Sequence, residues 1–126
     1  MNENNSITTS TTQDPRRQAT VERLKKQRQQ RWSASVQAGR EIGVRFVDDA
    51  DLDEIEQLVA LHEEYRREAW DEVAASVIPV VRNGRGFLEL ELREQAREGH
   101  DIDGLAVGVL EAVAEEWGEI EEEVGS

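Results

Sequence analysis

Histidine and cysteine, which commonly bind transition metals and take part in catalysis, are scarce in this 126-residue chain. The only histidines are His62 and His100, and the absence of cysteine excludes thiolate chemistry and a disulfide framework. Residues 62–66, His-Glu-Glu-Tyr-Arg, begin like the helix of a zinc protease, but Arg66 stands where the second histidine ligand is required. We therefore expect His62 to be a packed, hydrogen-bonded residue rather than a metal ligand.

Two other segments resemble ligand-binding loops only in part. Residues 49–54 begin with the alternating aspartates of a calcium loop, but they lack the glycine and the closing glutamate that such a loop requires. Gly84 and Gly86 do not open a dinucleotide-binding loop, because Glu89 stands where another glycine is needed. We interpret the aspartates as helix caps and the glycines as a turn. We expect a protein that is not an enzyme and that uses no metal or cofactor.

The charged residues are unevenly divided along the chain. Residues 1–46 carry nine basic and four acidic side chains, whereas residues 47–126 carry six basic and 24 acidic ones, and the total is −13. A basic segment attached to an acidic body is typical of proteins that bind polyanions. The alternative is that the basic residues form a charged, solvated helix surface that has no partner.

Most of the basic residues fall on a predicted helix. Asp14 and Pro15 are a typical N-cap and first-turn pair, helix-forming residues follow as far as Ala38, and Gly39 fits a C-terminal cap. Residues 1–13 are polar and have no apolar period, so we expect a disordered tail there. The apolar stripe of the helix is sparse, which predicts a helix that is exposed or that is ordered by an acidic partner.

Residues 41–47 form the clearest predicted strand. The apolar residues of this segment alternate with other residues, which gives a period of two, and they are Ile42, Val44 and Phe46. A lone strand has to pair with another strand or with its copy in a dimer. Residues 87–92 are the only other candidate strand, and they fit the opening turns of a helix equally well.

The rest of the chain has the apolar spacing of helices. Aspartates within residues 48–51 begin an amphipathic segment expected to reach Pro79, either as one helix or as two helices joined near residues 62–67. A helical hairpin is predicted next, with a helix over residues 88–98, a turn at Gly99 and a second helix that ends in an acidic tail. No apolar run approaches the length of a membrane span, and we expect a cytoplasmic protein without a membrane partner.

Residues 40–78 resemble half of a ribbon-helix-helix repressor, in which a strand is followed by an acidic-capped helix, a turn and a second helix. The segments that carry the resemblance are EIGVRFV, DDADLDEIEQLVALHEE and RREAWDEVAASVI, preceded by the basic lead-in RLKKQRQQRWSASVQAGR. The resemblance implies that two chains pair their strands, with Ile42, Val44 and Phe46 in the dimer interface. It also implies that Glu41, Gly43 and Arg45 face the major groove, where Arg45 grips a guanine edge.

These patterns predict a mainly α fold with one ribbon strand. Its parts are a disordered tail (1–13), a basic helix (14–39), a ribbon-helix-helix-like region for dimerisation and DNA binding (40–82) and an acidic helical hairpin (83–126). The expected function is that of a phage- or plasmid-type transcriptional regulator that binds duplex DNA as a homodimer. The predicted DNA contacts are nine basic residues: Arg16, Arg17, Arg23, Lys25, Lys26, Arg28, Arg31, Arg40 and Arg45.

A protein-binding module is the alternative function. The acidic hairpin could contact a protein partner, as in an antitoxin, an adaptor or an inhibitor whose acidic surface mimics DNA. In that case the polar N-terminal helix becomes ordered on the protein partner. Binding to DNA that weakens steeply with salt distinguishes the first function from stoichiometric capture of one protein.

Overall fold

The computed structural model describes residues 14–83 and 87–125 and divides the chain into two compact units, Met1–Arg31 and Trp32–Ser126. The described residues form five helices and no strand, which confirms the mainly α expectation. In chain order the helices are α1 (Pro15–Asp49), α2 (Leu52–Arg67), α3 (Trp70–Arg82), α4 (Phe87–Arg97) and α5 (Ile102–Gly125). The expected tail at residues 1–13 and most of the loop at 83–86 lie outside the described residues.

The predicted ribbon strand is wrong, because residues 41–47 are helical and belong to α1. Ile42 and Phe46 are buried at 1% and 5% exposure, and they lie four residues apart on one helix face. Val44, which completes the alternation, is 40% exposed. The helical period therefore prevails over the period of two, and the described residues contain no ribbon-helix-helix architecture.

Gly39 does not end the basic helix, contrary to the prediction. It lies inside α1 and packs against α5 through a contact so close that an added Cβ would lie 2.9 Å from the carbonyl carbon of Leu105. Carbon atoms normally pack at about 3.5–4.0 Å, so only glycine fits here. This non-local contact explains a glycine in the helix interior, although the residue type favours a helix end.

Residues of small volume form this contact on both helices at a spacing of four. An added Cβ on Gly43 would meet the carbonyl oxygen of Val109 at 2.8 Å, and one on Gly108 would meet the backbone nitrogen of Arg40 at 2.7 Å. The two small-residue rows are Ser35, Gly39 and Gly43 on α1, and Gly104, Gly108 and Ala112 on α5. The backbones of the two helices therefore touch, as in close-packed helix pairs that use small residues.

Residues 52–82 form two helices, whereas the sequence left open whether there is one helix or two joined near residues 62–67. Asp51 caps α2 in a capping box, with its side chain accepting from the backbone of Glu54 and the Glu54 side chain accepting from the backbone of Asp51. Glu68 and Ala69 are extended and separate α2 from α3. Pro79 does not end α3, which continues to Arg82.

The C-terminal helical hairpin is confirmed. Gly99 has a φ of 99°, and its N–H bonds to the carbonyl of Ala96 while the N–H of His100 bonds to that of Gln95. This pair of bonds is the Schellman arrangement that favours glycine at the end of a helix. Residues 87–92, which fitted a strand or a helix, open α4.

Helix α5 is the centre of the second unit, and it packs against α2, α3 and α4. Each residue from Gly104 to Leu110 is buried, so this part of the helix is enclosed on every side. The core that α5 shares with the other helices consists of aliphatic side chains that are nearly inaccessible, among them Ile42, Leu58, Val77, Val81, Leu88, Leu92, Leu105, Leu110 and Val113. None of the described helices is long and apolar enough to cross a membrane.

Candidate nucleic-acid interface

The basic segment, defined as residues 14–31, is an exposed helix that holds seven of the nine predicted DNA contacts. Every residue in it is exposed. Asp14 caps the helix by accepting from the backbone N–H groups of Arg16 and Arg17 at 3.0 and 3.4 Å, as the sequence predicted. The segment contains one other acid, Glu22, which lies 4.0 Å from Lys25 with both side chains about 70% exposed.

The seven basic side chains surround the helix instead of forming one stripe. Because successive residues of an α-helix are about 100° apart, Arg16, Lys25 and Lys26 point in three widely separated directions. The segment from Arg16 to Arg31 is about 22 Å long at 1.5 Å per residue. A helix with cations on all sides suits a groove that has phosphates along both walls, such as the major groove of duplex DNA.

Arg40 lies in the second unit, where two carboxylates of α5 hold its guanidinium. It donates to Glu111 at 3.0 Å and to Glu115 at 2.6 Å. The hydrogen bond to Glu115 is the main cause of a raised Arg40 pKa, and burial opposes it. The side chain of Arg40 is only 29% exposed, so this predicted DNA contact serves instead to join α1 to α5.

Arg45 is also engaged within the second unit. Its guanidinium donates to Glu91 of α4, whose carboxylate is 25% exposed. Arg45 therefore lies on a helix and is not on the outer face of a ribbon. The prediction that Arg45 contacts guanine from a strand is therefore wrong, because the described residues contain no strand that would place Arg45 in the groove.

The predicted dimer residues are separated by the helical geometry of α1. Ile42 and Phe46 belong to the hydrophobic core of the second unit, whereas Val44 faces outward. The three side chains therefore do not share one face, and a ribbon pairing through them is not available.

Ser35 is a buried polar residue that the sequence patterns did not reveal. Its side chain is inaccessible, its hydroxyl accepts from the backbone N–H of Asp101 at 2.9 Å, and it lies 3.2 Å from Nδ1 of His100. Ser35 therefore links α1 to the turn that precedes α5 through hydrogen bonds to two successive residues. The signal that could have revealed Ser35 is its spacing of four residues from Gly39 and of eight from Gly43.

His62 is half-buried beside Tyr65, with ring centroids 6.4 Å apart in an edge-on arrangement. Burial lowers the pKa of His62, and the charge of Arg66 lowers it further, so the ring is neutral at neutral pH. Burial raises the pKa of the Tyr65 hydroxyl, and the charge of Glu111 adds to this. No group of three or more His, Cys, Asp or Glu side chains within residues 14–83 and 87–125 has the arrangement of a metal site.

No protein-family model, curated protein or solved structure shows a significant match to this chain.

Proposed function

We propose that this protein binds duplex DNA through the phosphate backbone, using the basic segment of α1. The observation that carries the proposal is the exposure of six cations within residues 16–28, with only Glu22 opposing them. These side chains are Arg16, Arg17, Arg23, Lys25, Lys26 and Arg28. Their density over about four helical turns matches what phosphate binding needs.

The proposed contacts are to DNA phosphates, and regulation of transcription is the role that such binding would serve. Arg40 and Arg45 face carboxylates of the second unit, so they are excluded from the proposed surface. Phosphate contacts fix the position of a protein on DNA but carry little sequence information by themselves. We therefore expect binding that depends weakly on DNA sequence and strongly on salt.

The test is the affinity for a labelled DNA duplex, measured by fluorescence anisotropy over a series of salt concentrations. Six phosphate contacts predict a loss of affinity of about a thousandfold between roughly 50 and 200 mM salt. Replacing Lys25, Lys26 and Arg28 with Ala should weaken binding to every duplex alike. It should also reduce the slope of log affinity against log salt by about 2.7, because each cation removed from a phosphate lowers it by about 0.9.

The matched control replaces Gln27, Gln29 and Gln30 with Ala in the same helix. Both triple variants substitute Ala, the strongest helix former, so the helix itself is retained. The control should bind DNA as the parent does. Equal affinity and equal slope for the parent and the Lys25/Lys26/Arg28 variant would refute DNA binding by the basic segment.

Docking on a protein partner is the second candidate function, and two exposed apolar side chains favour it. Val21 and Leu24 are 41% and 51% exposed and lie three residues apart on the basic segment. Apolar residues at this spacing are typical anchors of a helix that binds in a groove. Val21→Ala with Leu24→Ala should leave phosphate binding unchanged, whereas it should weaken a protein complex that uses these anchors.

A further inference from the structure

The second unit has an open cleft of about 660 Å³ where α1, α2 and α5 meet. We call it the acidic cleft, because four glutamates and only two arginines line it. Its carboxylates are Glu63, Glu111, Glu115 and Glu121. The cleft is distinct from the basic segment, since all of its lining residues belong to Trp32–Ser126.

The charge of the acidic cleft is only partly compensated. Arg40 forms ion pairs with both Glu111 and Glu115. Glu63 lies 3.7 Å from Arg66, but both side chains are more than half exposed, and such a pair is weak. Glu121 is exposed and has no cationic partner among the described residues. With His62 and Tyr65 neutral, the cleft retains two uncompensated negative charges at neutral pH.

The remaining walls of the acidic cleft suit the stems of long basic side chains. Tyr65 and Trp117 line it with aromatic rings, and Val59 and Ala114 add aliphatic surface. Lys and Arg place their aliphatic stems along such surfaces while their charged ends reach carboxylates, and a cation over an aromatic ring is attracted to it. The cleft therefore has both features that a basic helix needs from a docking surface.

We propose that the acidic cleft binds the basic segment of a second copy of this chain. Charge complementarity supports this occupant, since residues 14–31 carry a net charge of +5 (seven basic, two acidic) and residues 32–126 carry −17 (eight basic, 25 acidic). Val21 and Leu24 are exposed beside the cations and match the apolar walls of the cleft. If each copy donates its segment to the other, both sites are filled in a closed dimer.

Self-docking of this kind would regulate DNA binding, because the same cations would bind either the acidic cleft of a second copy or the phosphates of DNA. This consequence rests on the proposed function, whereas the self-association does not. A protein at high concentration and low salt would hold its basic segments in acidic clefts, and DNA would have to displace them. The DNA affinity measured at low protein concentration would then exceed that at high concentration.

The first experiment measures the mass of the full chain by sedimentation velocity over a range of protein and salt concentrations. We expect a mass above the monomer value of 14.3 kDa at about 50 mM salt, with a return to monomer near 500 mM as screening increases. Glu63→Gln with Glu121→Gln should raise the dissociation constant of self-association about tenfold. Glu94→Gln with Glu98→Gln removes the same charge from exposed positions that do not line the cleft, and this control should self-associate more nearly like the parent.

A monomer at all concentrations in low salt would overturn the proposal. A salt-insensitive dimer would also overturn the proposal, as would equal weakening of self-association in the Glu63/Glu121 variant and its control, because neither result requires the acidic cleft.

The DNA assay separates the two proposals. Self-association without DNA binding rejects the proposed function alone, and DNA binding by a strict monomer rejects self-docking alone. If both occur, Glu63→Gln with Glu121→Gln should raise the apparent DNA affinity severalfold more than the control does.

Discussion

Gly39→Ala tests whether the backbone contact between α1 and α5 holds the second unit together. The added Cβ would lie 2.9 Å from both the carbonyl carbon and the Cα of Leu105. This distance is at least about 0.6 Å shorter than a normal carbon contact, and backbone atoms cannot move aside as a flexible side chain can. The two helices would therefore have to separate.

The expected change in the free energy of unfolding combines two unfavourable contributions and one favourable contribution. Overpacking of a close-packed site costs about 3 kcal/mol when the backbone has to move. Separation of the helices also weakens the hydrogen bond between Ser35 and the backbone N–H of Asp101, which adds about 1 kcal/mol. Replacing an internal helical glycine with Ala returns about 1 kcal/mol through helix propensity. We therefore expect Gly39→Ala to lower the free energy of unfolding by about 3 kcal/mol.

Urea unfolding followed by circular dichroism measures this change, and Gly118→Ala is the matched control. Gly118 also lies inside a helix, but an added Cβ there would meet no atom within 4 Å. The control should therefore be more stable than the parent by up to about 1 kcal/mol. If Gly39→Ala is as stable as the parent, the close backbone contact between α1 and α5 is wrong.

Two further predictions concern the second unit. Ser35→Ala removes the hydroxyl that accepts from the backbone N–H of Asp101, which leaves a buried donor without its acceptor. This should lower the free energy of unfolding in urea by about 1–3 kcal/mol. The control Ser33→Ala, at an exposed position, should lower it by less than about 0.5 kcal/mol. The lowered pKa of His62 gives stability that is fully present above its ordinary value of 6.5 and is lost as the pH falls from there through the lower folded value. His62→Gln should reduce the loss of stability over that acidic range in pH-dependent unfolding, and an unchanged pH profile would contradict the burial of His62.

Two signals that act within a few residues were interpreted correctly from the sequence. Asp14 and Pro15 begin α1, and Gly99 turns the C-terminal hairpin. In each case a side chain or a backbone conformation satisfies neighbouring backbone groups, so the cause and the effect lie within one turn of helix. The accumulation of cations before residue 32 is equally a property of the sequence, and it defines the basic segment.

Signals that needed a distant partner were misread. Ile42, Val44 and Phe46 alternate over too few residues to separate a strand from a helix that buries the first and the last. Gly39 has the residue type of a helix end, but α5 requires a glycine at that position inside α1. One local signal was also misread, because Pro79 was expected to end a helix and α3 extends to Arg82.

The tertiary structure alone shows which arginines are exposed and which form ion pairs with carboxylates of the same chain. In the sequence, Arg40 and Arg45 belong to the same set of nine predicted DNA contacts as Arg23 and Arg28. Folding brings Glu111 and Glu115 to Arg40, and Glu91 to Arg45, across separations of 46 to 75 residues. The starts of α1 and α2, the turn of the hairpin and the accumulation of charge were therefore readable from the sequence, because those properties are local. The tertiary structure decided whether residues 41–47 are helix or strand and which cations remain exposed, because both depend on α4 and α5 packing against α1.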